Sequence, residues 1–148
     1  MISIQRSCMA LVLCAGAVSS ALAQNDFAQV AAKEPGAKVT ASGLVFRSLQ
    51  DGQGASPVAT DKVKVHYRGT FPDGKEFDSS FKRNQPIDFP LNAVIPCWTE
   101  GVQLMKVGGK AKLTCPPAIA YGARGAGGVI PPNATLQFEV ELIAIAGR

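Results

Sequence analysis

His66 is the only histidine in this chain of 148 residues, and the partners that would make it catalytic are missing nearby in sequence. A serine–histidine–acid triad needs a nucleophile within hydrogen-bond reach of the imidazole and an acid to orient it. Ser79 and Ser80 directly follow Asp78 but have no base close in sequence, and an aspartate before two serines commonly makes a turn or cap. A zinc site of the usual kind needs three or four ligands; Cys97, Cys115 and His66 make a poor set. The glycine-rich run from Gly122 to Gly128 leads into Pro131-Pro132 rather than a helix. It therefore lacks the strand–loop–helix context of a phosphate-binding loop. An enzyme with this inventory is expected to work without a nucleophile, a metal or a cofactor.

Aromatic and branched apolar chemistry remains. Trp98 is the only tryptophan, in the run Val94-Ile95-Pro96-Cys97-Trp98 ahead of a helix-like segment. Its ring buries a large flat surface and keeps one N–H donor, which suits a pocket floor, although a lone tryptophan is also ordinary core filler. Tyr67, Phe77-Asp78-Ser79-Ser80, Tyr121-Gly122, Val129-Ile130-Pro131-Pro132 and Phe138 supply further candidates across the chain.

The elements that must position these residues are legible from periodicity. From Lys62 to Arg68, Val63, Val65 and Tyr67 share one face, while Lys62, Lys64, His66 and Arg68 share the other. Such alternation with one charged face predicts a half-exposed antiparallel strand and places His66 toward solvent. Pro72-Asp73-Gly74 supplies hairpin chemistry before a return strand beginning at Lys75 to Phe77. Between Cys97 and Lys106, Trp98, Val102 and Met105 fall at helical spacing, and Val107-Gly108-Gly109 ends that helix. Lys110 to Cys115 alternates again, and Leu136, Phe138, Val140 and Leu142 alternate with polar partners in a last strand. Gly43 to Leu49 is a first strand candidate, Gly52 to Ala59 a loop, and Asn25 to Lys38 a stub with at most two helical turns. Several one-faced strands and one helix predict an α+β domain, with the helix carrying Trp98 covering the apolar face of the sheet.

Residues 1–23 read as a secretory leader: a short basic start at Arg6, an apolar stretch from Cys8 to Val18, and Ala21-Leu22-Ala23 before Gln24. That stretch is too short and interrupted for a membrane span, so no membrane anchor is expected. Leu13 before Cys14 is bulky where lipidation requires a small residue. Cleavage after Ala23 would leave residues 24–148, with 14 basic against 11 acidic side chains and a net charge of +3. The scattered charges contain no basic stripe, so nucleic-acid binding is not expected. The domain reading is a leader at 1–23, an extension at 24–42 and one domain at 43–148. The leader implies the periplasm or full secretion, where the even pair Cys97 and Cys115 can oxidise.

At this point the chain resembles a family. Val65-His66-Tyr67-Arg68-Gly69, Phe77-Asp78-Ser79-Ser80, Val94-Ile95-Pro96-Cys97-Trp98, Ala120-Tyr121-Gly122 and Val129 to Leu136 occur in the order and spacing of FKBP-type peptidyl-prolyl cis–trans isomerases. The resemblance implies a five-stranded antiparallel sheet wrapped around one short helix, with a prolyl pocket between them. It makes Trp98 the floor under the substrate proline, and Tyr67, Phe77, Val94, Ile95, Tyr121, Ile130 and Phe138 the walls. Ile87 stands where the family often has phenylalanine, implying a less aromatic wall. Asp78 matches the family's pocket acid and Arg83 the arginine that commonly pairs with it. Ala126 replaces a polar or aromatic loop residue of some relatives. Cys97 departs from the usual glycine before the tryptophan, and Cys115 from an aliphatic inward residue. Both flank the same helix–sheet contact, so a Cys97–Cys115 disulfide is expected, against two buried free thiols.

The implied activity is isomerisation of X–Pro bonds in exported polypeptides, with no cofactor and with inhibition by macrolides such as rapamycin. Tyr121 is expected to donate a hydrogen bond to the substrate backbone, and Asp78 to shape the field without acting as a base. The competing class is a peptide-binding holdase with little turnover. Larger relatives dimerise through long helices ahead of the domain; Asn25 to Lys38 is too short for such an arm, so a monomer is expected.

Overall fold

The computed structural model describes residues 27–146; the leader reading at 1–23 lies outside the described residues. Seven strands form one sheet: β1 (Ala37–Val39), β2 (Val45–Gln50), β3 (Lys62–Thr70), β4 (Glu76–Ser79), β5 (Ile87–Pro90), β6 (Lys110–Cys115) and β7 (Leu136–Ile145). Their order is β1-β2-β6-β7-β3-β4, with β5 also on β3, and every pairing is antiparallel. A helix, α1 (Pro96–Gln103), packs on the sheet.

Seven segments reconcile with the five expected strands through register. β4 pairs with Arg68 to Thr70 and β5 with Lys62 to Val65, so both occupy the same edge of β3. They are one sheet position interrupted opposite His66 and Tyr67. At the interruption Ser80 substitutes for the ladder: its N–H donates to Tyr67 O at 2.9 Å, and its Oγ accepts from the Tyr67 N–H at 2.7 Å. The chain from Ser80 to Pro86 then bows outward, with Asn84 in the left-handed region at φ 52°, a conformation asparagine tolerates better than most residues. The other added strand, β1, comes from the extension. Lys38 pairs with Phe46, and Glu34 just ahead of it binds Arg47 at 2.7 Å and Lys112 at 3.0 Å.

The inward alternation of β3 follows the sequence, with Val63, Val65 and Tyr67 buried. β7 buries Leu136, Phe138, Val140 and Leu142, then slips register opposite Lys64 and Val65. That bulge breaks the two-residue period and lets the strand continue to Ile145, beyond where simple alternation stops.

Helix α1 starts at Pro96, where the missing N–H costs nothing and the fixed φ suits the first turn. Cys97, Trp98, Gly101 and Val102 form its buried face. It ends before the expected Lys106, because the N–H groups of Leu104 and Met105 bond three residues back, to Gly101 and Val102. Met105 is nonetheless buried. Cys97 and Cys115 are joined by a disulfide with Cα atoms 5.8 Å apart.

Candidate functional site

A cavity of about 510 Å³ opens between α1 and the sheet. Trp98 is 4% exposed and meets Tyr67, Phe89 and Phe138 edge to face, at ring separations of 5.3, 5.6 and 5.4 Å. Its indole N–H is buried without a hydrogen-bond partner, inside three rings whose π faces are weak acceptors at best. A floor held by ring geometry presents an apolar surface, and its one donor is buried out of reach of solvent. Phe77 adds a further ring, 5.7 Å from Phe138. A Cβ on Gly69 would lie 2.5 Å from the Phe77 ring, so glycine at that strand position makes room for it.

The polar side of the cavity is carried by Asp78. The Tyr67 hydroxyl donates to Asp78 Oδ2, Arg83 donates to Oδ1 at 2.6 Å, and the Ser79 N–H donates to Oδ1 at 2.9 Å. Arg83 also reaches the Tyr67 hydroxyl at 3.1 Å. Burial pushes the Asp78 carboxyl up, but the Tyr67 hydrogen bond and the Arg83 guanidinium outweigh it and hold the group below the usual carboxylate range. Burial and the adjacent carboxylate push the Tyr67 hydroxyl up. The carboxylate form of Asp78 is therefore favoured by its neighbours. Tyr121 lines the opposite rim, 39% exposed, and its hydroxyl has no protein partner among the described residues.

Of the residues singled out from sequence, Tyr67, Phe77, Asp78, Val94, Ile95, Trp98, Tyr121 and Phe138 all line this cavity. Arg83 does not line it and is hydrogen-bonded to Asp78 and Tyr67. Two expected wall residues stand elsewhere. Ile87 lies on β5 opposite Val65, outside the lining, and the aromatic wall is Phe89, two residues on and opposite Val63. Ile87 and Phe89 share one face of the strand, and Phe89 meets both Tyr67 and Trp98 ring to ring. The alternation Ile87-Asp88-Phe89 was the available signal, and so this wall is no less aromatic for carrying isoleucine at 87. Ile130 also falls outside the lining: its backbone pairs with Ala126, and its side chain packs into the core. Ala93 is a small lining residue that sequence reasoning passed over.

His66 lies on the outward strand face but is not freely solvated. Its Nδ1 shares a hydrogen bond with Ser80 Oγ at 2.8 Å, and its ring stacks on Phe81 at 4.7 Å. A second cavity, of about 420 Å³ beside Gln50, Asp51 and Lys106, contains none of the sequence-predicted residues.

The comparisons agree with this geometry. The sequence model of the FKBP-type peptidyl-prolyl cis-trans isomerase family matches residues 53–143. The chain is 59% identical over 114 residues to the FKBP-type peptidyl-prolyl cis-trans isomerase FkpA of Aeromonas hydrophila, covering 77% of this chain and 42% of that protein. It is 54% identical to the FKBP-type 22 kDa peptidyl-prolyl cis-trans isomerase of Escherichia coli, covering 77% of this chain and 55% of the other. It thus spans about half the length of these curated relatives. Among solved structures, FkpA from Escherichia coli superposes with a TM-score of 0.80 at 47% identity, covering 82% of this chain and 57% of that one. A peptidyl-prolyl cis-trans isomerase from Pseudomonas syringae gives 0.80 at 42% identity, covering 88% and 96%. A matched stretch that includes α1, the ring-lined cavity and the Tyr67–Asp78–Arg83 cluster places the chain in the FKBP-type peptidyl-prolyl cis–trans isomerase family.

Proposed function

We propose that this chain catalyses cis–trans isomerisation of X–Pro bonds in exported polypeptides without covalent chemistry. The observation that carries the reading is the cavity of about 510 Å³ floored by Trp98 and walled by Tyr67, Phe77, Phe89 and Phe138. Twisting a peptide bond breaks amide resonance at a cost of roughly 18–20 kcal/mol, and X–Pro bonds cross that barrier in tens to hundreds of seconds. The twisted bond is less dipolar than the planar amide. A dry aromatic pocket therefore favours it over the ground state, which is the differential binding that catalysis requires. A barrier lowered by about 5–8 kcal/mol accelerates rotation roughly 10⁴–10⁶-fold.

In this reading Trp98 supports the proline ring, and Tyr121 donates from its unpartnered hydroxyl to a substrate carbonyl. Asp78, held anionic by Tyr67 and Arg83, shapes the field around the twisting bond. The lining residues of the pocket all come from one chain, which supports turnover by a monomer. The leader-like residues 1–23 and the Cys97–Cys115 disulfide support an exported, oxidising location; cell fractionation of the tagged chain tests it. A protease-coupled assay on a proline tetrapeptide, with and without rapamycin, tests the activity. Catalysed turnover blocked by rapamycin is expected. Peptide binding with a background rate would favour a holdase instead.

A further inference from the structure

A groove of about 400 Å³ lies between the β3–β4 turn and the loop leading into β7. Phe71, Pro72, Val129, Pro131 and Ala134 give it an apolar lining, and its charged lining residues are Asp73 and Lys75. Neither edge is loose. The turn is closed by the Phe71 N–H to Lys75 O at 2.9 Å and the Gly74 N–H to Phe71 O at 2.8 Å. The loop is closed by the paired backbones of Ala126 and Ile130 and by the Asn133 N–H to Gly122 O at 2.8 Å. Val129 is 57% exposed, an apolar side chain held in water by a braced loop.

Two relationships join this groove to the prolyl pocket. Phe71 of the groove packs on Phe77 of the pocket at 4.8 Å, Phe77 meets Phe138 at 5.7 Å, and Phe138 meets Trp98 at 5.4 Å. Four rings in series thus run from the pocket floor to the groove. The same loop also serves both, with Tyr121 lining the pocket while Val129 and Pro131 line the groove.

We propose that the groove is a second subsite for the client polypeptide, taking a bulky apolar side chain two or three residues from the proline. The inference rests on the prolyl-isomerase reading. An extended chain advances roughly 3.3–3.6 Å per residue. Phe77 lines the pocket and Phe71 the groove with their rings 4.8 Å apart; that exceeds the advance of one residue, so the side chain next to the proline falls short of the groove. The apolar lining selects leucine-like side chains over amides, because a buried amide without a partner loses its water for nothing.

The test uses eight-residue peptides with one proline, carrying Leu or Asn in turn at each position two or three residues from it on either side. Turnover is measured with the wild-type chain, with Val129→Asp and with Val129→Asn, and a short proline tetrapeptide serves as the reference substrate. In the wild type, Leu is expected to raise kcat/KM about tenfold over Asn at one or more positions. Both variants should bring that ratio toward one while tetrapeptide turnover stays within about twofold, since exposed substitutions rarely disturb a fold. A ratio near one at all four positions, or a preference untouched by either Val129 substitution, would overturn the subsite. If the wild type turns over no peptide, the isomerase reading fails on its own. The same Leu-to-Asn ratios, read as binding constants from Trp98 fluorescence, then decide the groove.

Discussion

The sulfur of Cys97, one residue before Trp98, is bonded to the sulfur of Cys115 at the end of β6, so the helix that carries the pocket floor is tied covalently to the sheet beneath it. Both cysteines are fully buried. In the chain-entropy account, a crosslink across a sequence separation of 18 contributes about 3 kcal/mol. Equilibrium urea denaturation with and without a strong reductant checks this. A clear drop in the midpoint is expected on reduction, and coincident curves would contradict it.

The cluster at the pocket mouth makes stability depend on acid. The Asp78 carboxyl lies below its ordinary range in the folded chain, and so does Glu34, through Lys112 and Arg47 with burial opposing. Between the folded and unfolded values the unfolded chain binds more protons, so stability rises with pH through that window. It is complete above the ordinary carboxylate range and is lost as pH falls through the lowered folded values. Asp78 is 39% exposed on its side chain, so solvent moderates the effect. Denaturation across the acid range should show a shallower slope for Asp78→Asn than for the wild type; identical slopes would remove Asp78 from the account.

Asp78→Asn also separates field shaping from proton transfer. With no proton to move, the variant should keep turnover within about tenfold of wild type, near 1.4 kcal/mol of barrier. Abolished turnover in a folded Asp78→Asn chain would demand a larger electrostatic role.

Phe89 and Ile87 make opposite predictions despite sharing one strand face. Phe89 packs on both Tyr67 and Trp98, and two aromatic pairs at about 0.5–1.5 kcal/mol each translate into a loss of roughly five- to a hundredfold in kcat/KM for Phe89→Leu. Ile87→Val, outside the cavity lining, should leave kcat/KM nearly unchanged. Steady-state kinetics on both variants decides, and the reverse order would return the wall to Ile87.

Gly101 tests how closely α1 must approach the sheet. A Cβ there would meet the Leu113 side chain at 2.8 Å, and Leu113 is fully buried in the core. Alanine gains about 1 kcal/mol of helix propensity over glycine, whereas overpacking a dense core costs about 1–3 kcal/mol. Overpacking should outweigh the gain in propensity, lowering the stability of Gly101→Ala in urea denaturation. A stabilised variant would show that Leu113 yields without cost.

The strand faces were legible because burial on one side of a sheet imposes a two-residue period, and β3, β6 and β7 display it openly. The spacing of Trp98, Val102 and Met105 marked the helix face for the same reason. Phe89 escaped because β5 is only four residues long, too short for alternation to stand out beside Ile87. The extension concealed β1 because a three-residue edge strand owes its existence to pairing with β2 and to the anchoring of Glu34, neither of which has a local signature. His66 was placed on the outward face correctly, but its cover by Phe81 comes from the bow after Ser80, a long-range consequence of the interrupted ladder.

Sequence by itself determined the apolar and charged faces of the principal strands, the position of the helix and the family resemblance. All of these follow from local periodicity, residue inventory and motif order. Only the tertiary structure decided that Phe89 lines the cavity while Ile87 and Ile130 fall outside its lining, and that Phe71 extends the aromatic series beyond the pocket. Each depends on register and on the approach of segments distant in the chain. Ring-to-ring distances of about 5 Å are set by how strands bulge and pair, and residue types alone carry no record of that.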